Sequence, residues 1–181
     1  MNKSLAVLLA VAVLAATGGY FAAMKLTSAP ESGPKEDAVL DQLRPGFSHL
    51  DTAGRPVSAD EFDGKVLLVN FWATWCEPCV EEMPMLSRLQ QELAGQDFQV
   101  VGVALDNADR ATKFAAKMDL HYPVLVGGTD VVLTGKRYGN ASGMLPYSVL
   151  MDRKGVIRWT FLGALDEAEL VQKVESLLHK N

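Results

Sequence analysis

Cysteine is scarce in this chain, two residues of 181, and histidine nearly so, with three. A structural zinc needs four ligands. No second cysteine pair exists, and His49, His121 and His179 stand singly on different elements, so the sequence assembles no metal site. Nor does it carry a disulfide framework. Cys76 and Cys79 are so close that a bond between them closes a tiny loop and restrains little of the unfolded chain. Charge of one sign is not concentrated anywhere, and the net charge is −5. Without residues 1–25 two lysines go, leaving 15 basic against 22 acidic side chains, net −7. That balance excludes nucleic acid and an anionic membrane surface as partners. The charges are scattered, as on an ordinary solvated face. There is no internal repeat and no low-complexity block.

One long hydrophobic run exists. Leu5 to Met24 passes twenty residues without a charge, behind the positive Met1 to Lys3. At a 1.5 Å rise such a helix spans about 30 Å, the thickness of a bilayer core. Its first half would also serve as the apolar region of a signal peptide, with a weak small-x-small site at Ala16-Thr17-Gly18. No cysteine follows the run, which excludes a lipoprotein anchor. Its length favours an uncleaved anchor over a removed signal; either way the rest of the chain is exported. The expected organisation is an anchor over 1–25, a flexible linker over 26–45 centred on Ser28-Ala29-Pro30-Glu31-Ser32-Gly33-Pro34, and one domain over 46–181.

The two cysteines lie in Trp75-Cys76-Glu77-Pro78-Cys79, behind the apolar run Val66 to Trp72 and ahead of a helical pattern. At such a junction the first sulfur meets unpaired backbone N–H groups and the positive end of the helix dipole, which favour thiolate. Cys76 is therefore the expected nucleophile, and Cys79, one turn in, the resolving thiol. Pro78 suits the first helical turn. Glu77 either offsets the dipole beside a thiolate or acts as an ordinary first-turn acid.

Periodicity supplies the frame. Phe47 to Leu50 and Pro56 to Ser58 read as a hairpin, Ala59 to Phe62 as a helical turn, and Lys65 to Trp72 and Phe98 to Leu105 as buried strands. Helices are expected over Glu77 to Ala94, Asp109 to Met118 and Asp130 to Tyr138. Pro123 to Val126 reads as a short strand. Tyr147 to Met151 and Val156 to Leu162 form a hairpin about Asp152-Arg153-Lys154-Gly155, and a last helix starts at a capping-box pattern, Asp166 to Glu169. Strands alternating with helices, then a hairpin and a closing helix, give an α/β fold with a mixed central sheet covered on both faces.

The segment Phe71-Trp72-Ala73-Thr74-Trp75-Cys76-Glu77-Pro78-Cys79 resembles the active site of thioredoxin-fold proteins. More narrowly, it is similar to the TlpA/ResA-like thiol–disulfide oxidoreductases of bacterial envelopes, over roughly Phe47 to His179. The resemblance implies a thioredoxin-like fold preceded by the N-terminal hydrophobic helix. Thioredoxins carry a buried aspartate six residues before the first cysteine, where this chain has Asn70. The family's glutamate three residues after the second cysteine matches Glu82, which would take the Cys79 proton. Pro146 matches the cis-proline facing the dithiol, with the Leu145 backbone open to an extended partner segment. Trp72, Trp75 and Tyr147 are candidates for an apolar rim around Cys76, with a place in the core as the alternative for Trp72. Trp75, Glu77, Pro78, Leu145, Pro146 and Tyr147 are thus the expected substrate contacts.

By the same resemblance the chain is expected to be an envelope protein-disulfide reductase using a Cys76–Cys79 couple, in cytochrome c maturation or general envelope thiol maintenance, with no other cofactor and no metal. Its partners would be protein disulfides, apocytochrome c among them, and a membrane donor of thiols. It would be a monomer in a bacterial inner membrane, single-pass through residues 5–24, with its catalytic domain in the periplasm, or exported and soluble if residues 1–25 are cleaved. Specialised cytochrome-maturation thioredoxins often have an acid after the cis-proline, where this chain has Tyr147. Two rivals use related folds. A copper metallochaperone spaces its cysteines one residue further apart and adds a histidine. A thiol peroxidase needs a Pro-x-x-x-Thr-x-x-Cys setting, which is absent.

Overall fold

The computed structural model describes residues 36–179. The expected membrane segment and the tether through Pro34 lie outside them. Among the described residues no helix is long and apolar enough to cross a membrane.

Seven strands form one sheet: β1 (Ser48–Asp51), β2 (Pro56–Ser58), β3 (Val66–Trp72), β4 (Phe98–Leu105), β5 (Val124–Gly127), β6 (Tyr147–Met151) and β7 (Ile157–Leu162). The helices are α1 (Glu77–Glu92), α2 (Ala108–Lys117), α3 (Thr129–Arg137) and α4 (Glu167–Leu178), with 3-10 turns at Glu36–Val39 and Ala59–Phe62. The strand order is β2-β1-β5-β4-β3-β6-β7. β3, β4 and β5 are mutually parallel, and every other pairing is antiparallel.

β3 is buried at all seven positions because it runs through the middle of the sheet. Its side chains alternate between faces. Val66, Leu68 and Trp72 join one core with Cys79, Met83 and Leu86 of α1 and Leu170 and Val174 of α4. Leu67, Val69 and Phe71 join a second core with Val131 of α3, Tyr138 and Phe62. Helices therefore cover both faces, as the periodicity implies.

Local chemistry fixes the turns. Asp152 Oδ1 accepts from the N–H groups of Lys154 and Val156, and Gly155 takes φ +76°, a conformation open to glycine. Ser58 Oγ accepts from the Asp60 N–H while Glu61 Oε1 accepts from the Ser58 N–H, a reciprocal box at a 3-10 turn. The box expected at the last helix forms only by half. Asp166 Oδ1 takes the Glu169 N–H at 2.9 Å, but the Glu169 carboxylate lies 3.4 Å from Lys173 instead.

The flexible linker ends earlier than the composition suggests. Residues 41–44 lie along the outer edge of the sheet where β7 begins. The Asp41 N–H donates to Ile157 O, the Ile157 N–H to Gln42 O and the Arg44 N–H to Gly155 O. Arg44 also donates to Asp63, and Arg158 pairs with Asp41. An edge strand offers unpaired backbone groups, and this stretch satisfies some of them despite its weak apolar pattern.

Candidate active site

The site gathers at the end of the sheet where the parallel strands β3, β4 and β5 finish. β3 exits at Trp72 into the short loop Ala73-Thr74-Trp75, and Cys76 caps α1. The loop is tied down by Asp106 at the end of β4, whose Oδ2 accepts from both the hydroxyl and the N–H of Thr74. Asp106 is itself 2% exposed at its side chain and pairs with Arg110. This brace could be read only weakly from sequence, as an acid where a buried strand ends.

Cys76 and Cys79 are joined in a disulfide with a Cα separation of 5.3 Å. Cys76 is 7% exposed and Cys79 is wholly buried. Cys76 is thus the outer sulfur, although the oxidised pair leaves it less open than a free nucleophile would be. Pro78 falls in the first turn of α1. Glu77 and Pro78 are exposed, and Trp75 is 64% exposed.

Tyr147 pairs with Phe71 across the β3–β6 ladder, so Pro146 sits beside the exit of β3. The Leu145–Pro146 peptide is cis, as the resemblance implies. Leu145 is half-buried against both cores, and Met144 before it is exposed. Buried Asn140 shapes this loop, donating to Met144 O at 2.9 Å and accepting from the Gly143 N–H and the Ser142 hydroxyl.

Of the rim candidates, Trp72 takes its alternative place and Tyr147 departs from expectation. Trp72 lies wholly in the core, its ring 5.8 Å from Phe114. The Tyr147 ring is also fully buried, and it lies on the opposite face of the sheet from the cysteines, its hydroxyl donating to Tyr138 O at 3.0 Å. The cause is parity: a strand residue one position after Pro146, paired with Phe71, points with Phe71 into the far core. Its side chain cannot meet a partner docked at the cysteines.

Glu82 is the inner member of the Glu81–Glu82 pair, 4% exposed, on the face of α1 that also carries Cys79. Residues three apart on a helix have Cβ atoms ~5–6 Å apart. The Glu82 carboxylate accepts from Asn70 Nδ2 on β3 at 2.7 Å and from the Leu165 N–H, in the loop before α4, at 2.9 Å. Burial pushes its carboxyl up to about 7, against the pull of those two donors. Asn70 also donates to the Ser148 hydroxyl of β6 at 3.0 Å. Opposite Asn70 in β4 stands Gly102, where a Cβ would come within 2.9 Å of Trp72 Nε1 and 3.0 Å of the Tyr122 ring. Asn70 Oδ1, Trp72 Nε1 and the Tyr122 hydroxyl are buried polar atoms without a hydrogen-bond partner among the described residues. Leu165, which donates to Glu82, and Ser148, which accepts from Asn70, are not among the sequence candidates. The available signal is polarity inside a strand too apolar to face water, since a buried amide or hydroxyl needs a partner.

His49 and His121 stand apart from this site. His49 is buried against Asp130 (2.9 Å) and Thr134 (3.0 Å), and His121 is near Asp119.

Comparison with known proteins agrees with this geometry. Residues 38–178 match the model of the Redoxin family. The thioredoxin-like protein YneN of Bacillus subtilis is 35% identical over 138 residues, 74% of this chain and 78% of its own. The thiol-disulfide oxidoreductase ResA of Bacillus thuringiensis subsp. konkukian is 30% identical, over 79% of this chain and 81% of its own. Among solved structures, a thiol:disulfide interchange protein of the thioredoxin family from Chlorobium tepidum superposes with a TM-score of 0.67 at 27% identity, covering 75% of this chain and 95% of that one. The α/β fold is thioredoxin-like.

Proposed function

Because the chain belongs to the Redoxin family, among its TlpA/ResA-like thiol–disulfide oxidoreductases, we propose that it reduces protein disulfides on the outer side of a bacterial inner membrane. The observation that carries this reading is the Cys76–Cys79 pair at the N-terminus of α1, the outer sulfur at the helix cap and the inner one beside a buried carboxylate.

In the reduced protein the Cys76 thiolate attacks one sulfur of a partner disulfide. An S–S bond forms between the proteins and the partner's other sulfur leaves as a thiolate, which takes a proton from solvent. Glu82 accepts the Cys79 proton, and the Cys79 thiolate attacks the Cys76 sulfur. The mixed disulfide breaks, the second partner sulfur leaves and is protonated, and Cys76–Cys79 closes. Two electrons pass to the partner, which gains two protons. A membrane dithiol donor then returns two electrons and two protons. Helix-terminal N–H groups and the dipole stabilise Cys76 as the attacking thiolate.

The partner docks against Trp75, Glu77 and Pro78 on one side and the Leu145 backbone with Pro146 on the other, lining its strand beside the cis-proline. Exposed Trp75 and Met144 on these two segments supply apolar contact. Apocytochrome c is one candidate partner, since its haem-attachment cysteines must be kept reduced in an oxidising compartment. Location rests on residues 5–24 as a retained single-pass anchor, with the linker beyond it and the catalytic domain, a monomer, in the periplasm. No further cofactor and no metal take part.

Direction of flow is tested by the in-vivo redox state. Acid quenching and thiol alkylation of growing cells should find Cys76 and Cys79 mostly reduced, and mostly oxidised after loss of the membrane donor. A pair held oxidised in wild-type cells would make the protein an oxidant instead.

A further inference from the structure

The buried hydrogen bonds around Glu82 contain a mismatch that appears only when the carboxyl changes state. Glu82 Oε2 faces the Leu165 N–H, which can only donate. The acid proton therefore belongs on Oε1, the oxygen that faces Asn70 Nδ2 at 2.7 Å. As arranged, the protonated acid would set O–H against N–H. Both Nδ2 protons are committed, one to Glu82 and one to the Ser148 hydroxyl at 3.0 Å, while Oδ1 of the same amide is buried with no partner among the described residues. The two ends of a carboxamide are nearly equal in size, so exchanging them needs no repacking; it moves the partnerless position from Oδ1 to Nδ2. The Ser148 hydroxyl serves either orientation of the amide, because it accepts or donates by rotating.

We propose that Asn70 is the positioning residue of Glu82: its carboxamide presents N–H to the carboxylate and turns end for end to present C=O to the carboxylic acid, while the Ser148 hydroxyl switches from acceptor to donor. The proposal rests on the reading of Glu82 as the base that takes the Cys79 proton. It gives Glu82 a hydrogen bond on both oxygens before and after that transfer. A second carboxylate at position 70 would instead compete for the same proton. The groups packed around Glu82 allow such a local device. Asn70 comes from β3, neutral Ser148 from β6 behind it, and a backbone N–H from the loop before α4. Cys79 is the titratable neighbour on α1. The Tyr122 phenol, before β5, is held neutral first by burial and then by the Glu82 charge.

The test is NMR of the full oxidised chain in detergent micelles, where the cysteines do not titrate. Following the Glu82 carboxyl carbon against pH gives its midpoint. NOEs from the Asn70 amide protons to the Ser148 β-protons should be present above that midpoint and lost below it; NOEs that persist on both sides overturn the proposal. Asn70→Leu removes donor and acceptor alike. The Glu82 midpoint should then move by less than about half a pH unit, while the Cys79-dependent resolution of a mixed disulfide slows about tenfold or more. A rise of about one pH unit or more would mean a fixed donor serving the carboxylate alone, and would also overturn it. Failure of the underlying reading looks different: Glu82→Gln would leave the resolution rate and its pH profile unchanged, whatever the NOEs do.

Discussion

A carboxyl group buried like Glu82 is pulled two ways. Loss of water favours the acid, and two N–H donors favour the carboxylate. Burial prevails, and the group sits at about 7 against an ordinary 4.5. The sign for stability follows. Between those pH values the folded chain keeps a proton that the unfolded chain releases. The stabilising contribution is complete below about 4.5 and is lost as pH rises to about 7, a change of about 3 kcal/mol. Denaturant unfolding of wild type and Glu82→Gln should therefore show a difference that moves by about that much in favour of the glutamine protein from pH 4.5 to 8. A difference that stays constant with pH would show that Glu82 ionises normally. In turnover, Glu82→Gln should slow thiol exchange and alter its pH profile without unfolding the domain. At this scale Cys76 and Cys79 were legible from their place between a buried strand and a helical pattern, and Glu82 from the resemblance, because their spacing along one helix is local. The Asn70–Ser148–Leu165 surroundings were not, because those contacts join segments far apart in the chain. The side taken by Tyr147 was not either, because it depends on strand parity, which one residue of register reverses.

Among the elements, α1 does most to place the site, and its inner stripe of Met83, Leu86 and Leu89 is buried as the helical spacing implies. Leu86→Ala, at a wholly buried position, should cost about 2–5 kcal/mol in denaturant unfolding. A loss below about 1 kcal/mol would mean the helix is not seated on the sheet as described. The start of α4 links stability to chemistry. Asp166 caps it, and the preceding Leu165 N–H holds Glu82. Asp166→Ala should cost about 1 kcal/mol and, by loosening that N–H, raise the Glu82 midpoint. An unmoved midpoint would separate the cap from the carboxylate. Strands and helices were readable to within about two residues because their apolar periods are strong. Residues 41–44 were not, because an edge pairing made by backbone groups leaves little trace in side-chain pattern.

For the whole molecule, that edge pairing marks where the domain begins. A chain starting at residue 36 should unfold like the full-length domain, whereas one starting at residue 46 loses three backbone hydrogen bonds and the Arg44 and Asp41 ion pairs. The shorter one should be about 2 kcal/mol less stable. Equal stability would return residues 36–45 to the tether. Mass analysis of the envelope protein should find a chain that begins near Met1; a start between Thr17 and Ser28 would mean that the hydrophobic segment is removed. In the proposed mechanism Cys76 attacks and Cys79 resolves. Mixing the reduced full-length Cys79→Ser protein with a disulfide-bonded protein and mapping the adduct by mass spectrometry tests that order. A stable mixed disulfide at Cys76 is expected, with Cys76→Ser forming none and reducing nothing; an adduct that forms through Cys79 in the Cys76→Ser protein, with Cys76 inert, would reverse the two roles.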